Sequence, residues 1–134
     1  MTGPKRILIA ETSKGTLDNL SFLLSNRGYD VARALNGRDA LQFVRTAAPD
    51  LVILGGELPD LSGYDAYRLL KLHPSTRHIP VLLLVASTDD IEAPTRTLPD
   101  PEFLMSKPFT AHDFLERTRK LLALPSELLP SAKS

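Results

Sequence analysis

Three short runs of uninterrupted apolar residues alternate with segments of helical periodicity, and this alternation is the feature that most constrains the fold. The runs are residues 7–10, 51–54 and 81–86. Runs of this kind are typical of strands that are buried on both faces, as in a parallel sheet. Weaker strands are predicted at 31–34 and 103–106. The chain therefore has the pattern of a five-stranded α/β domain.

Helical segments separate the predicted strands. Apolar residues recur at helical spacing within 16–27, and Gly28 follows where a helix commonly ends. Asn36 is predicted to cap a second helix, and a third helix is predicted from about 63 to 72. Thr110 begins a capping-box pattern for the last helix. The apolar positions of the first segment are Leu17, Leu20, Phe22, Leu23 and Leu24.

The region between the fourth and fifth strands has a different character. Pro94, Pro99 and Pro101 follow closely on one another. An interior proline costs a helix about 3 kcal/mol, so we expect the fourth helix to be short or irregular. The 134 residues suit one domain, which we expect to cover 1–124. The proline- and serine-containing segment 125–134 has the composition of a flexible tail or the start of a linker.

Composition excludes several classes of protein. The chain has no cysteine, which excludes disulfides, zinc-thiolate sites and thiol catalysis. Its 16 basic and 16 acidic residues leave a formal net charge of zero, which argues against a strongly basic nucleic-acid surface. The apolar runs are shorter than the roughly 20 residues that a membrane helix needs, and the first residues lack a signal-peptide core. We therefore expect a cytoplasmic protein with no nucleic-acid or membrane partner of its own.

The carboxyl ends of parallel strands mark the expected site, because binding sites in open parallel sheets form at that edge. The residues at these positions are Glu11, Thr12, Gly55, Val85, Ala86, Ser106 and Lys107.

Three stretches resemble response-regulator receiver domains. Residues 49–63 read PDLVILGGELPDLSG, which is similar to the third strand and following loop of that family. Residues 79–84, IPVLLL, resemble its fourth strand, and residues 106–109, SKPF, resemble its Lys-Pro pair. The resemblance extends from about residue 5 to 122. It implies a CheY-like, flavodoxin-like sheet of order 2-1-3-4-5 with helices on both faces, and a role in two-component, phosphorelay-type signal transduction.

The resemblance assigns the receiver's phosphorylation site to residues that are altered here. Receivers hold Mg²⁺ with two acidic residues after the first strand. These two positions match Glu11, which has a carboxylate, and Thr12, which has none. The phosphoacceptor aspartate matches Gly55, which has no side chain. Because Mg²⁺ needs anionic oxygen ligands, Glu11 is at best a weak metal candidate, and no cofactor is expected.

The signalling positions of the family are altered as well. The switch hydroxyl of the fourth strand matches Val85, and the aromatic switch position matches Leu104, with Phe103 just before it. The family's lysine is kept as Lys107.

These substitutions predict a pseudo-receiver, a protein-interaction module that is not controlled by its own phosphorylation. The implied partners are a histidine kinase, another regulator or an effector, and the face of the fourth and fifth helices is a candidate homodimer surface. The alternative is a sensor that binds a small anionic ligand in the altered pocket. An enzyme is not expected, because the sequence has no Ser-His-Asp set, metal cluster or phosphate-binding loop motif.

Two side chains near the pocket have alternative interpretations. Lys107 either contacts an anion or, as we prefer, forms an internal ion pair with Glu11 or Glu57. Glu57 either enters the pocket as a substitute acid or, as we prefer, is solvated. Asp60 is better explained as a turn residue than as a second phosphoacceptor.

Overall fold

A computed structural model describes residues 3–85 and 104–123 of the chain. The strands of this part form one parallel sheet in the order β2-β1-β3-β4-β5, which confirms the predicted α/β architecture and strand order. The predicted irregular helix between the last two strands lies outside the described residues. In chain order, the elements are β1 (Arg6–Ala10), α1 (Lys14–Ser25), β2 (Asp30–Ala34), α2 (Gly37–Ala47), β3 (Leu51–Gly55), α3 (Gly63–Leu72), β4 (Val81–Val85), β5 (Leu104–Ser106) and α4 (Ala111–Ala123).

Helices cover both faces of the sheet, because the central strands are apolar at every position. Along β1, Leu8 and Ala10 point to one face and Ile7 and Ile9 to the other. The first face packs against α2 and α3, and the second packs against α1 and α4. Each fully buried aliphatic side chain contributes roughly 1.5–3 kcal/mol. This two-sided burial holds the carboxyl ends of β1, β3 and β4 in fixed positions.

Side-chain caps set the beginning of each helix. Asn36 accepts a 2.8 Å hydrogen bond from the backbone N–H of Asp39, as predicted for α2. The hydroxyl of Thr110 accepts one of 3.0 Å from the N–H of Asp113, as predicted for α4. Ser13 caps α1 in the same way. This helix spans Lys14–Ser25, so the predicted range of 16–27 was displaced by two residues.

Two predictions about local structure were wrong. The third strand was predicted over residues 51–54, but β3 continues through Gly55, which pairs with Leu84 of β4. Phe22 was expected on the apolar face of α1, but it is 63% exposed. At 3.6 residues per turn, Phe22 lies about 200° around the helix from Leu20, so it faces away from the buried stripe.

None of the helices in the described part of the chain is long and apolar enough to cross a membrane.

Candidate functional site

The predicted pocket lies where β1, β3 and the loop after β5 meet. Glu11 follows β1 directly, Gly55 is the last residue of β3, and Lys107 follows β5. Glu11 Oε1 lies 3.3 Å from the Nζ atom of Lys107. The side chain of Glu11 is 5% exposed and that of Lys107 is 37% exposed. The structure thus brings three of the predicted site residues together, and it confirms the predicted internal ion pair between Lys107 and Glu11.

The carboxylate of Glu11 occupies the space next to Gly55 where a side chain would project. A Cβ atom built on Gly55 would lie 2.8 Å from Glu11 Oε1, 3.1 Å from its Cδ and 3.3 Å from Oε2. The shortest of these distances is closer than a real Cβ approaches an oxygen atom. The present position of Glu11 therefore depends on the missing side chain of residue 55.

Two donors compensate the burial of the Glu11 carboxylate. Lys107 supplies the ammonium group, and the backbone N–H of Ser13 donates to Oε2 at 3.3 Å. A buried carboxylate is costly unless it is paired and hydrogen-bonded. The pair is not fully enclosed, because the lysine reaches solvent.

Thr12 and Glu57 connect two loops above the pocket. The hydroxyl of Thr12 donates a 2.7 Å hydrogen bond to the backbone carbonyl of Glu57. The side chain of Glu57 is exposed, and the backbone of the residue forms an isolated bridge with Ser62. The structure therefore places the Glu57 carboxylate on the surface, as the preferred interpretation expected, and Thr12 has a structural hydrogen bond.

The two positions that resemble the receiver's switch residues are apolar and packed. Val85 is 2% exposed and belongs to the core cluster on the α2–α3 side of the sheet. Its carbonyl accepts a 2.7 Å hydrogen bond from the backbone N–H of Lys107. Leu104 packs against the same cluster. Phe103, the neighbouring aromatic residue, lies outside the described residues.

Gly63 is the first residue of α3 and lies against the end of β3, a role that was not predicted from the sequence. A Cβ atom on Gly63 would collide with the carbonyl oxygen of Gly55. The N–H of Gly63 donates a 2.8 Å hydrogen bond to the carbonyl of Gly56. The available signal was the final glycine of the 49–63 stretch, which marks this close approach of two backbone segments.

Asp60 of the same loop caps α2. Its two carboxylate oxygens accept hydrogen bonds of 2.8 Å from the backbone N–H groups of Gly37 and Arg38. These bonds lower the pKa of the Asp60 carboxyl below its ordinary value, and the bond from Gly37 has the largest effect. The capping contact explains Asp60 more fully than the turn that was predicted.

Comparison with known proteins decides the family. The model of the response regulator receiver domain matches residues 7–119, which is most of the chain. The chain belongs to the response regulator receiver domain family. It is thus a receiver domain of two-component signalling, a family whose members interact with histidine kinases and effectors.

The individual relatives differ in length. The receiver domain is 29% identical to the polar-differentiation response regulator DivK of Brucella anthropi, and the match covers 89% of this chain and 97% of DivK. It is 30% identical to the DNA-binding response regulator MtrA of Mycobacterium tuberculosis, where the match covers 96% of this chain but only 57% of MtrA. The chain therefore spans just over half of MtrA.

A solved structure supports the same fold. A response regulator from Chloroflexus aurantiacus superposes with a TM-score of 0.77 at 27% identity, and the match covers 90% of this chain and 99% of that one.

The side chains of this receiver pocket do not fit a magnesium ion. Mg²⁺ prefers six oxygen ligands in octahedral geometry, with carboxylates to balance its charge. The carboxylate of Glu11 is paired with Lys107, the hydroxyl of Thr12 donates to a carbonyl, and Gly55 offers no side chain. Within residues 3–85 and 104–123, no group of three or more His, Cys, Asp or Glu residues is arranged to hold a metal.

Proposed function

We propose that this receiver domain is a protein-interaction module whose state does not depend on its own phosphorylation. One observation carries the proposal: β3 ends at Gly55, and the space for a side chain there is filled by the carboxylate of Glu11. An acyl phosphate forms when a carboxylate attacks the phosphoryl donor in line. Gly55 has no carboxylate, so the family's phosphoryl transfer has no acceptor at this position.

Glu11 is a poor substitute acceptor, although its carboxylate lies next to Gly55. Its side chain is 5% exposed and already engages Lys107 and the N–H of Ser13. The altered pocket also lacks a hydroxyl at Val85 that could respond to a phosphoryl oxygen. The proposal therefore includes neither magnesium nor an enzymatic step.

Control of such a domain comes through binding, because a partner shifts a conformation only when it prefers one state. The proposed partners are a histidine kinase, another response regulator or an effector. MtrA is a DNA-binding response regulator, but the match covers 57% of it. We propose no nucleic-acid contact for the present domain, whose charges balance to zero.

Phosphorylation in vitro tests the proposal directly. The purified domain is incubated with acetyl phosphate and Mg²⁺, and separately with beryllofluoride and Mg²⁺. We expect no added phosphoryl mass in intact mass spectrometry and no magnesium-dependent change in the amide NMR spectrum. A receiver domain that accepts phosphate from acetyl phosphate is the positive control. A stoichiometric acyl phosphate on this chain would contradict the proposal.

The alternative of a small anionic ligand has less support from the geometry. An anion that binds Lys107 has to compete with the nearby carboxylate of Glu11, 3.3 Å away. Thermal unfolding with inorganic phosphate and with nucleotides distinguishes the two functions, since a ligand at a hundred times its Kd adds about 2.7 kcal/mol of stability. A saturable stabilisation that the Lys107→Ala variant abolishes would favour the sensor.

A further inference from the structure

We infer that Glu11 and Gly55 form a compensating pair, in which β1 supplies the carboxylate that β3 lacks and Glu11 acts as the positioning residue for Lys107. The inference rests on the proposed function, and it identifies the group that occupies the pocket in place of a side chain at position 55.

The register of the sheet explains how Glu11 reaches this space. Ala10 of β1 pairs with Leu54 of β3, so Glu11 and Gly55 are the next residues along the two neighbouring strands. Adjacent strands lie about 4.8 Å apart, a distance that the two methylene groups of a glutamate can span. An aspartate at position 11 is one methylene shorter. Both the length of Glu11 and the missing side chain of Gly55 are therefore needed for the observed contact.

The contact between Glu11 and Lys107 holds the loop after β5 in place. Its backbone N–H is bonded to the carbonyl of Val85, and its ammonium group pairs with Glu11. Lys107 thus connects the loop after β5 to both β4 and β1. With Glu11 as a permanent partner, this loop keeps its position without a metal ion or a phosphoryl group.

The position of the Glu11 carboxylate leaves no room for a side chain at position 55. An aspartate introduced there places its Cβ 2.8 Å from Glu11 Oε1 unless Glu11 moves. It also adds a second carboxylate beside the one that already neutralises Lys107, and like charges at this distance oppose each other. Restoring the aspartate alone should therefore destabilise the domain, and removing Glu11 at the same time should relieve the conflict.

A double-mutant cycle tests the pair through thermal unfolding of Gly55→Asp, Glu11→Ala and the combined variant. We expect each single substitution to lower Tm by about 5 °C or more, and the combined variant to lose clearly less than the two losses together. Glu57→Ala combined with Gly55→Asp is the matched control, because it removes an exposed carboxylate of a nearby loop. This control should give no recovery. If Gly55→Asp does not fold, recovery of a folded domain by Glu11→Ala is the same evidence.

Conservative variants of Glu11 separate positioning from simple packing. The amide of Ser13 and the ammonium of Lys107 report on the two contacts of Glu11 in NMR spectra. Glu11→Gln retains the length without the charge, and Glu11→Asp retains the charge without the length. We expect both variants to shift the Lys107 signals, so that the charge of Glu11→Asp does not restore the wild-type spectrum.

Two results would overturn the inference: additive losses in the cycle, or an aspartate variant whose Lys107 signals match the wild type. Phosphorylation of the wild-type chain would instead contradict the proposed function, and it leaves the outcome of the cycle unaffected. The two failures are therefore distinguishable.

Discussion

The backbone N–H of Gly37 donates a 2.8 Å hydrogen bond to the carboxylate of Asp60, so the loop after β3 caps the helix that follows β2. Arg38 donates a second bond of 2.8 Å to the same carboxylate. The N-terminal N–H groups of a helix have no partners within the helix, and a negative charge there is favourable. This contact joins the β3–α3 loop of the pocket to the beginning of α2.

Replacement of Asp60 should therefore destabilise the domain in a pH-dependent manner. We expect Asp60→Asn to lower Tm at neutral pH, because the amide has one acceptor oxygen and no charge. The pKa of Asp60 is lowered in the folded state, so its stabilising contribution is present above the unfolded pKa and is lost as the pH falls below about 4. Thermal unfolding between pH 3 and pH 7 measures the difference. The Tm values of the wild type and of Asp60→Asn should approach each other as the pH falls. Glu57→Gln, which alters an exposed carboxylate of the same loop, should not show this pH-dependent difference from the wild type.

Lys71 should titrate well below an ordinary lysine. Its ammonium group donates hydrogen bonds to the carbonyls of Arg77 and Ile79 at 3.2 and 2.5 Å. Burial lowers the pKa of Lys71 from 10.5 to about 8. NMR titration of its side-chain signals should therefore show a midpoint near pH 8. A midpoint above 10 would contradict the expected cost of burial.

The same shift predicts how stability depends on pH. Between pH 8 and 10.5 the unfolded chain binds more protons at Lys71 than the folded chain does, so this residue makes stability rise with pH. The gain is on the order of 3 kcal/mol at most. Chemical denaturation at pH 7.5 and pH 10 should show it as a difference between the wild type and Lys71→Met, which cannot titrate.

Two buried threonines should respond in opposite ways to replacement by valine. Within the described residues, the hydroxyl of Thr118 is buried without a hydrogen-bond partner. The hydroxyl of Thr76 is also buried and donates a 2.7 Å bond to the carbonyl of Leu70. Thr118→Val should stabilise the domain by about 1 kcal/mol, and Thr76→Val should destabilise it by about as much. Urea denaturation compares them. A loss of stability in Thr118→Val would show that its hydroxyl has a role in the folded state.

Two glycines differ sharply in their tolerance of a methyl group. Gly63→Ala should destabilise the domain by about 3 kcal/mol, because the new Cβ meets the carbonyl oxygen of Gly55. Gly15, within α1, has no atom within 4 Å of such a Cβ. Gly15→Ala should stabilise the domain by up to about 1 kcal/mol, since alanine favours the helix. The same denaturation assay measures both variants, and equal effects would contradict the predicted contact.

Local patterns predicted the fold because they reflect local physics. Uninterrupted apolar runs predicted the buried strands, and Asn36 and Thr110 predicted two helix starts, since capping involves residues three apart. The same approach misplaced Phe22, because a leucine-rich segment offers more than one apolar face and only packing selects the buried one.

The site shows where sequence is sufficient and where it is not. By itself, the sequence determined that position 55 has no carboxylate and that Glu11 and Lys107 are present at the predicted edge of the sheet. Only the tertiary structure decided that these residues meet in one place. Glu11 and Lys107, which form the ion pair, are 96 positions apart in the chain. The tertiary structure also placed Glu11 in the space beside Gly55 and left Glu57 exposed. The physical reason is that side-chain direction and burial depend on strand register and on packing between elements, which no local pattern contains.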